Sequence, residues 1–385
     1  MNLNRIREQL ARLVAEPSVS SALPEWDQSN KGVIDLLANW CEDLGCRVEV
    51  QPVSEAPEKY NLIATLGEGE NGLILSGHSD TVPWDADRWR DDPFTLTEAD
   101  ERWYGLGVCD MKGFFPIALA AMAAQKSRLR RPVTLIATAD EESSMSGIQR
   151  LVRSHGRLGR YAIIGEPTGM APVYQHKGIL ISSLSIEGRS GHSSNPALGA
   201  SALEAMADAL HALRRVRASW ADRYRDPAFE VAVPTLNFGC IHGGDNANRI
   251  CGHCELQFDV RLHPGMDIRE TESMLRDAVA PVAEDWGVTI RLNQIFAGVP
   301  PFRQTPEADL VRFSADQTGQ PPKSVAFATE APFLAAQGIE TVVLGPGHID
   351  QAHQPNEYMD LRFVPAMQRY LEAAVDRYCT GSTPG

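Results

Sequence analysis

At 385 residues the chain is too long for one ordinary domain, and its 43% apolar content is enough for two cores. A formal net charge of −14 excludes a general binder of nucleic acid or anionic membrane. No apolar run approaches the ~20 residues of a membrane helix. Arg5, Arg7, Glu8 and Arg12 interrupt any signal-peptide core, so the expected location is the cytosol, where the seven Cys stay reduced.

In chain order, residues 3–15 and 30–45 have the spacing of amphipathic helices, with Ile6, Leu10, Leu13 and Val14 on one face of the first. Val48–Val53, Asn61–Thr65 and Leu73–Leu75 read as strands, and a loop from Pro83 to Pro93 carries Trp84 and Trp89. Phe114–Gln125 is an Ala-rich helix. Val133–Ala137 is a strand, Ser146–His155 a helix, and Ala162–Ile164 a strand. This alternation predicts an α/β domain with a mostly parallel sheet and helices on both faces.

The pattern changes after Lys177. Ile179–Ile186 is a strand and Asn195–Val216 a long helix with Leu198, Ala202, Met206, Leu210 and Leu213 on one face. Pro234–Ile241 and Ile250–Leu262 pair as strands, Ile268–Ala280 is a helix stopped by Pro281, and Val288–Asn293 is a strand. The order β-α-β-β-α-β is that of a ferredoxin-like α+β domain. The expected organisation is a discontinuous catalytic domain over 1–177 and 296–385, with residues 178–295 inserted as a lid and dimerisation domain. The α/β pattern resumes with the strand Thr341–Leu344, and a short small-residue tail closes the chain at Gly381–Gly385.

Five residues of metal-ligand type follow this framework: His78, Asp110, Glu142, Glu166 and His353. Four of them come within several residues of the end of an apolar strand, and an open α/β sheet binds ligands beyond the carboxyl ends of its strands. Two His and three carboxylates suit two borderline divalent ions, zinc or substituting cobalt. Asp110 is a candidate bridge, since its two oxygens can reach two ions ~3.5–4 Å apart. Asp80, two residues past His78, is placed to accept a hydrogen bond from the imidazole. The adjacent Glu141 and Glu142 divide the work, one as ligand and the other as general base toward an activated water. Taken singly, each of these is more often a cap, a turn residue or a structural His; their recurrence in matching settings carries the metal reading.

Other motifs are weaker. Gly105-x-Gly107 lacks the third Gly of a dinucleotide fingerprint, and no Gly-x-Ser-x-Gly occurs. Cys240, His242, Cys251, His253 and Cys254 have the look of a zinc knuckle, but strand alternation points Cys251 and Cys254 to opposite faces.

The stretches Gly77-His-Ser-Asp-Thr-Val-Pro83, Asp110-Met-Lys-Gly-Phe-Phe115, Ala137-Thr-Ala-Asp-Glu-Glu142, Ile163-Ile-Gly-Glu-Pro-Thr168, Gly191-His-Ser-Ser194 and Gln351-Ala-His-Gln-Pro355 resemble the M20 family of di-zinc peptidases and deacylases along essentially the whole chain. The resemblance implies that Asp110 bridges, that His78 and Glu166 complete one site, and that Glu142 and His353 complete the other. Glu141 is then the general base for a water bridging the ions, Asp80 supports His78, and His192 stabilises an oxyanion in the site of a homodimer partner. Within such a family, Glu330 suits an ammonium on the substrate side chain, such as that of ornithine, and Arg261 suits the substrate α-carboxylate. The bland alternatives are a helix cap for Glu330 and a surface ion pair for Arg261. The implied activity is removal of an acyl group from a small N-acyl amino acid. Two alternatives stand beside it: a sister deacylase for a neutral or succinylated amino acid, and a non-catalytic binding module on the same fold.

Overall fold

The structure is a computed structural model, described here for residues 2–381; the last four residues of the small-residue tail lie outside the described residues. Two compact units result. The first comprises the chain up to Tyr174, Gln304–Lys323 and the residues from Thr329 on; the second comprises Gln175–Arg303 and Ser324–Ala328.

The first unit opens with helices α1 (Leu3–Val14) and α2 (Lys31–Leu44), then strands β1 (Arg47–Glu55), β2 (Glu58–Leu66) and β3 (Leu73–His78). Helix α3 (Phe114–Gln125), strand β4 (Val133–Thr138), helix α4 (Ser146–Ser154) and strand β5 (Tyr161–Pro167) follow. In the second unit come β6 (Gly178–Glu187), α5 (Ala202–Arg223), β7 (Thr235–Gly243), β8 (His253–Leu262), α6 (Ile268–Trp286) and β9 (Thr289–Val299). The chain then returns through α7 (Asp309–Thr318), α8 (Ala331–Ala335), β10 (Glu340–Gly345) and α9 (Phe363–Val375).

The sheet of the first unit runs β1-β2-β4-β3-β5-β10. β4, β3, β5 and β10 are mutually parallel, while β1 and β2 join antiparallel at one edge. Every residue of β3, β4 and β5 is buried, as expected of parallel strands covered on both faces. Ile6, Leu10, Leu13 and Val14 of α1 are at most 1% exposed, so each contributes roughly 1.5–3 kcal/mol of burial. The α1 stripe read from periodicity is therefore a core face. Asn2 caps α1 by accepting the Arg5 N–H at 3.1 Å.

The sheet of the second unit runs β7-β8-β6-β9, antiparallel throughout. Along β8, Cys254, Leu256, Phe258, Val260 and Leu262 alternate inward to a core shared with α5 and α6. Three local expectations need correction. The long helix begins at Ala202, capped by the Ser201 hydroxyl, and Leu198 before it is 54% exposed. Pro281 does not stop α6; the helix continues to Trp286 because Val279 and Val282 are both anchored in the core, and it ends at Gly287 in the left-handed region. Cys251 and Cys254 do not point apart: β8 begins only at His253, so the alternation does not extend back to Cys251, and both side chains enter the core.

Candidate metal centre

Each candidate ligand of the first unit sits where a buried strand or a pinned loop delivers it. His78 is the last residue of β3, Glu141 and Glu142 follow β4, and Glu166 lies within β5. His78 Nδ1 donates to the Asp80 backbone carbonyl at 2.9 Å, which fixes the tautomer and leaves Nε2 free to coordinate. That Nε2 lies 3.0 Å from Asp110 Oδ1 and 4.0 Å from Glu166 Oε1. His353 Nε2 lies 3.0 Å from Glu142 Oε1 and 3.6 Å from Asp110 Oδ2. The two oxygens of Asp110 thus face two different imidazoles. Three groups of side chains could each hold an ion: His78 with Asp110 and Glu166, Asp110 with Glu142 and His353, and His78 with Glu141 and Glu142.

The electrostatics call for a cation. Asp110, Glu141 and Glu166 are at most 9% exposed, and among the described residues the cationic side chains paired with this carboxylate cluster are His78 and His353. Burial and the neighbouring Asp110 push the Glu166 carboxyl well above its ordinary range; burial and Glu166 do the same to Glu141. For Asp110, burial pushes the carboxyl up, but the hydrogen bond with His78 and the charges of His78 and His353 together outweigh it, and the carboxyl falls below the usual value. The bond to Glu142 raises His353 to about 9. Divalent ions would satisfy this surplus of negative oxygen, and the donor set fits zinc or a similar ion. The Cys/His run of the second unit forms no such group among the described residues.

Asp80 departs from its expected role. Its carboxylate is 3.7 Å from His78 Nδ1, too far for a hydrogen bond, because its own backbone carbonyl already takes that proton. The carboxylate instead accepts the backbone N–H of Glu141 at 3.3 Å and of Glu142 at 3.1 Å, orienting both acids. Glu330 departs further. It is 1% exposed, it lies beside the Thr138 and Ser76 hydroxyls, and neither carboxylate oxygen has a well-formed hydrogen bond. Burial raises its carboxyl to about 7. A group that reads a substrate ammonium must be reachable, and this one is buried, with its carboxyl close enough to His78, Asp80, Glu141 and Glu166 to feel their charges.

His192 and Arg261 belong to the second unit. The exposed His192 ring accepts the Ser194 backbone N–H at Nδ1 (3.2 Å), so its proton rests on Nε2, the form suited to donating toward an oxyanion. Arg261 pairs with Asp259 at 3.0 Å.

Glu357 escaped the sequence reading. It is 2% exposed and accepts backbone N–H bonds from Gly107 (2.9 Å), Cys109 (2.7 Å) and Asp110 (3.0 Å). The strand Tyr358–Asp360, paired with Arg102–Tyr104, holds Glu357 against that loop. Gly107 adopts φ 81, and a Cβ there would come within 2.8 Å of Thr81, so the turn that feeds Asp110 requires glycine. The only sequence signal was the position of Glu357 four residues after His353.

Residues 74–377 match the model of peptidase family M20/M25/M40. The chain belongs to this family. It is 44% identical over 379 residues to the acetylornithine deacetylase of Klebsiella pneumoniae (strain 342), covering 98% of this chain and 99% of the relative. Among solved structures, an M20 family metallo-carboxypeptidase from Sulfolobus solfataricus superposes with a TM-score of 0.77 at 17% identity, covering 97% of this chain and 99% of that one. A tripeptidase from Staphylococcus aureus superposes at 0.74 and 19%, covering 97% and 98%. At such identities the structural likeness speaks for the shared fold. The family is one of amide-bond hydrolases, and the chain is a hydrolase of that kind.

Proposed function

We propose that this chain hydrolyses the acetyl amide of N2-acetyl-L-ornithine to acetate and L-ornithine, a step of arginine synthesis. The observation that carries the substrate is the 44% identity with an acetylornithine deacetylase across 98% of the chain. The geometry supplies the chemistry. Two divalent ions, zinc in this reading, would be held by His78, Asp110 and Glu166 on one side and Asp110, Glu142 and His353 on the other. When bound, such ions lower the pKa of water and polarise an acyl oxygen.

Glu141 takes the proton of the attacking water as the new C–O bond forms at the acetyl carbon. It returns that proton to the nitrogen as the C–N bond breaks, so ornithine leaves as an amine and the acetyl group as acetate. The two N–H bonds to Asp80 hold the Glu141–Glu142 turn in place for this transfer. His192 offers Nε2–H to the oxyanion, from the partner subunit of a homodimer built through the second unit. Arg261 binds the substrate carboxylate after exchanging its Asp259 partner. No helix among the described residues is long and apolar enough to cross a membrane; the reading places the enzyme in the cytoplasm.

The burial of Glu330 favours one competing reading, a sister deacylase for neutral N-acyl amino acids, because it removes the residue expected to select a cation. Comparing kcat/KM for acetylated ornithine, citrulline and methionine and for succinyl-diaminopimelate separates the two. Acetylornithine is expected to lead by at least about tenfold; parity with acetylmethionine would overturn the substrate assignment.

A further inference from the structure

The far end of α2 carries reactive chemistry that hydrolysis does not use. This helix ends in a Schellman arrangement. Gly45 stands at φ 87, its N–H bonds to the Glu42 carbonyl at 2.8 Å, and the Cys46 N–H reaches back to the Cys41 carbonyl at 2.9 Å. In this closure the residue after the glycine meets the residue five positions earlier, and their side chains come into contact. Both are Cys. The 2.9 Å bond from the Cys46 N–H to the Cys41 carbonyl draws the two backbones together, and a hydrogen bond joins the two thiols, the close approach that a disulfide needs.

The pair is asymmetric. Cys41 is fully buried at 0% exposure, while Cys46 is half-buried and reachable by small reagents. Lys126 Nζ donates to the Leu44 carbonyl at 2.6 Å, so a cation stands at the negative end of the helix dipole and beside Cys46. The hydrogen bond between the thiols, with help from Lys126, lowers Cys46; the same bond, with burial, holds Cys41 far above the usual thiol range. Four of the other five cysteines, at 109, 251, 254 and 379, are buried, and Cys240 is half-buried beside His242.

We propose that Cys41 and Cys46 form an oxidisable dithiol, with Cys46 the attacking thiolate, Cys41 the resolving thiol and a small hydroperoxide the co-reactant. The Cys46 thiolate attacks a peroxide oxygen; an S–O bond forms, the O–O bond breaks, and a sulfenic acid and hydroxide result. Cys41 then attacks the Cys46 sulfur. The S–S bond forms, the S–O bond breaks, and the Cys41 proton leaves with the departing hydroxide as water. Two thiols lose two electrons, hydrogen peroxide gains them, and two waters leave once the first hydroxide recovers the proton that Cys46 had released. The product clamps the last turn of α2. The opposite end of α2 bears Asn30, which donates to Ser79 Oγ at 2.7 Å, and 14 helical residues, about 21 Å, separate the two ends. Catalysis is therefore expected to change by less than about twofold on oxidation.

The test uses the metal-loaded enzyme and hydrogen peroxide, with alkylation and tryptic mapping. Cleavage after Lys31 and Arg47 leaves both thiols in one peptide, residues 32–47. That peptide should lose two hydrogens and both alkylation sites, at least roughly tenfold faster than Cys240 is oxidised. Cys46→Ser should leave Cys41 reduced, and Cys41→Ser should strand Cys46 as a sulfenic acid trapped by dimedone. If Cys41→Ser fails to fold, Cys46→Ser decides. A doubly alkylated peptide while Cys240 oxidises, disulfides between chains, or oxidation of Cys41 at the wild-type rate in Cys46→Ser would each overturn the proposal.

Discussion

At the scale of single residues, two glutamates differ in what their burial does. Glu357 is buried but satisfied, accepting three backbone N–H groups of the loop that presents Asp110. A carboxamide in its place presents one acceptor oxygen and an NH2 that faces N–H groups. Glu357→Gln should therefore loosen that loop and weaken metal binding by about 10–100-fold, measured by competition with a chelator. Unchanged affinity would show that the loop holds its shape without it. Glu330 is buried and unsatisfied, with the Ser76 hydroxyl unpaired beside it. Glu330→Gln should lower kcat/KM for acetylornithine and for an acetylated apolar amino acid by about the same factor. A loss of about 10–100-fold confined to the cationic substrate would restore Glu330 as the reader of the ammonium.

At the scale of elements, the histidines of the second unit couple its stability to pH. His176 is 0% exposed, donates from Nδ1 to the Lys177 carbonyl at 2.8 Å, and is lowered by burial to about 4; burial also lowers His263 to about 4. Between that value and the ordinary ~6.5, the unfolded chain holds a proton that the folded chain does not. The stability these groups allow is thus complete above ~pH 6.5 and is lost as the pH falls toward 4, by about 3 kcal/mol for His176. Urea midpoints for His176→Asn, which can keep a donor toward Lys177, should fall less steeply over that interval. Parallel slopes would mean that His176 is already protonated in the fold.

At the scale of the whole molecule, the homodimer proposed here places catalytic groups on two chains. Glu141→Gln should keep its metal and lose about 10²–10⁴ in activity, and His192→Ala should also be nearly inactive. Mixing the two variants should recover part of the activity, since some dimers then carry one site with both groups intact. Proven subunit exchange without recovery would place His192 outside a shared site. The same experiment reports the oligomeric state, because recovery requires a dimer.

Much of this was legible in the chain itself. Strand identity and parallel pairing follow from short, wholly apolar runs such as Leu73–Leu75 and Ala162–Ile164, because a strand covered on both faces buries apolar side chains on each. The candidate ligands follow from the same runs, since whatever leaves the carboxyl end of such a strand enters the crevice. Periodicity failed where a boundary depended on packing: the start of α5, the continuation of α6 through Pro281, and the inward turn of Cys251. It was also blind to direction. Nothing in the spacing of Asp80 says that its carbonyl, and not its carboxylate, takes the His78 proton. Nothing around Glu330 says that it is buried, and nothing around Glu357 says that three N–H groups converge on it. Residue type and order determined which groups exist and on which strands they lie; only tertiary packing decided which of them are enclosed, because burial and hydrogen-bond direction depend on neighbours distant in sequence.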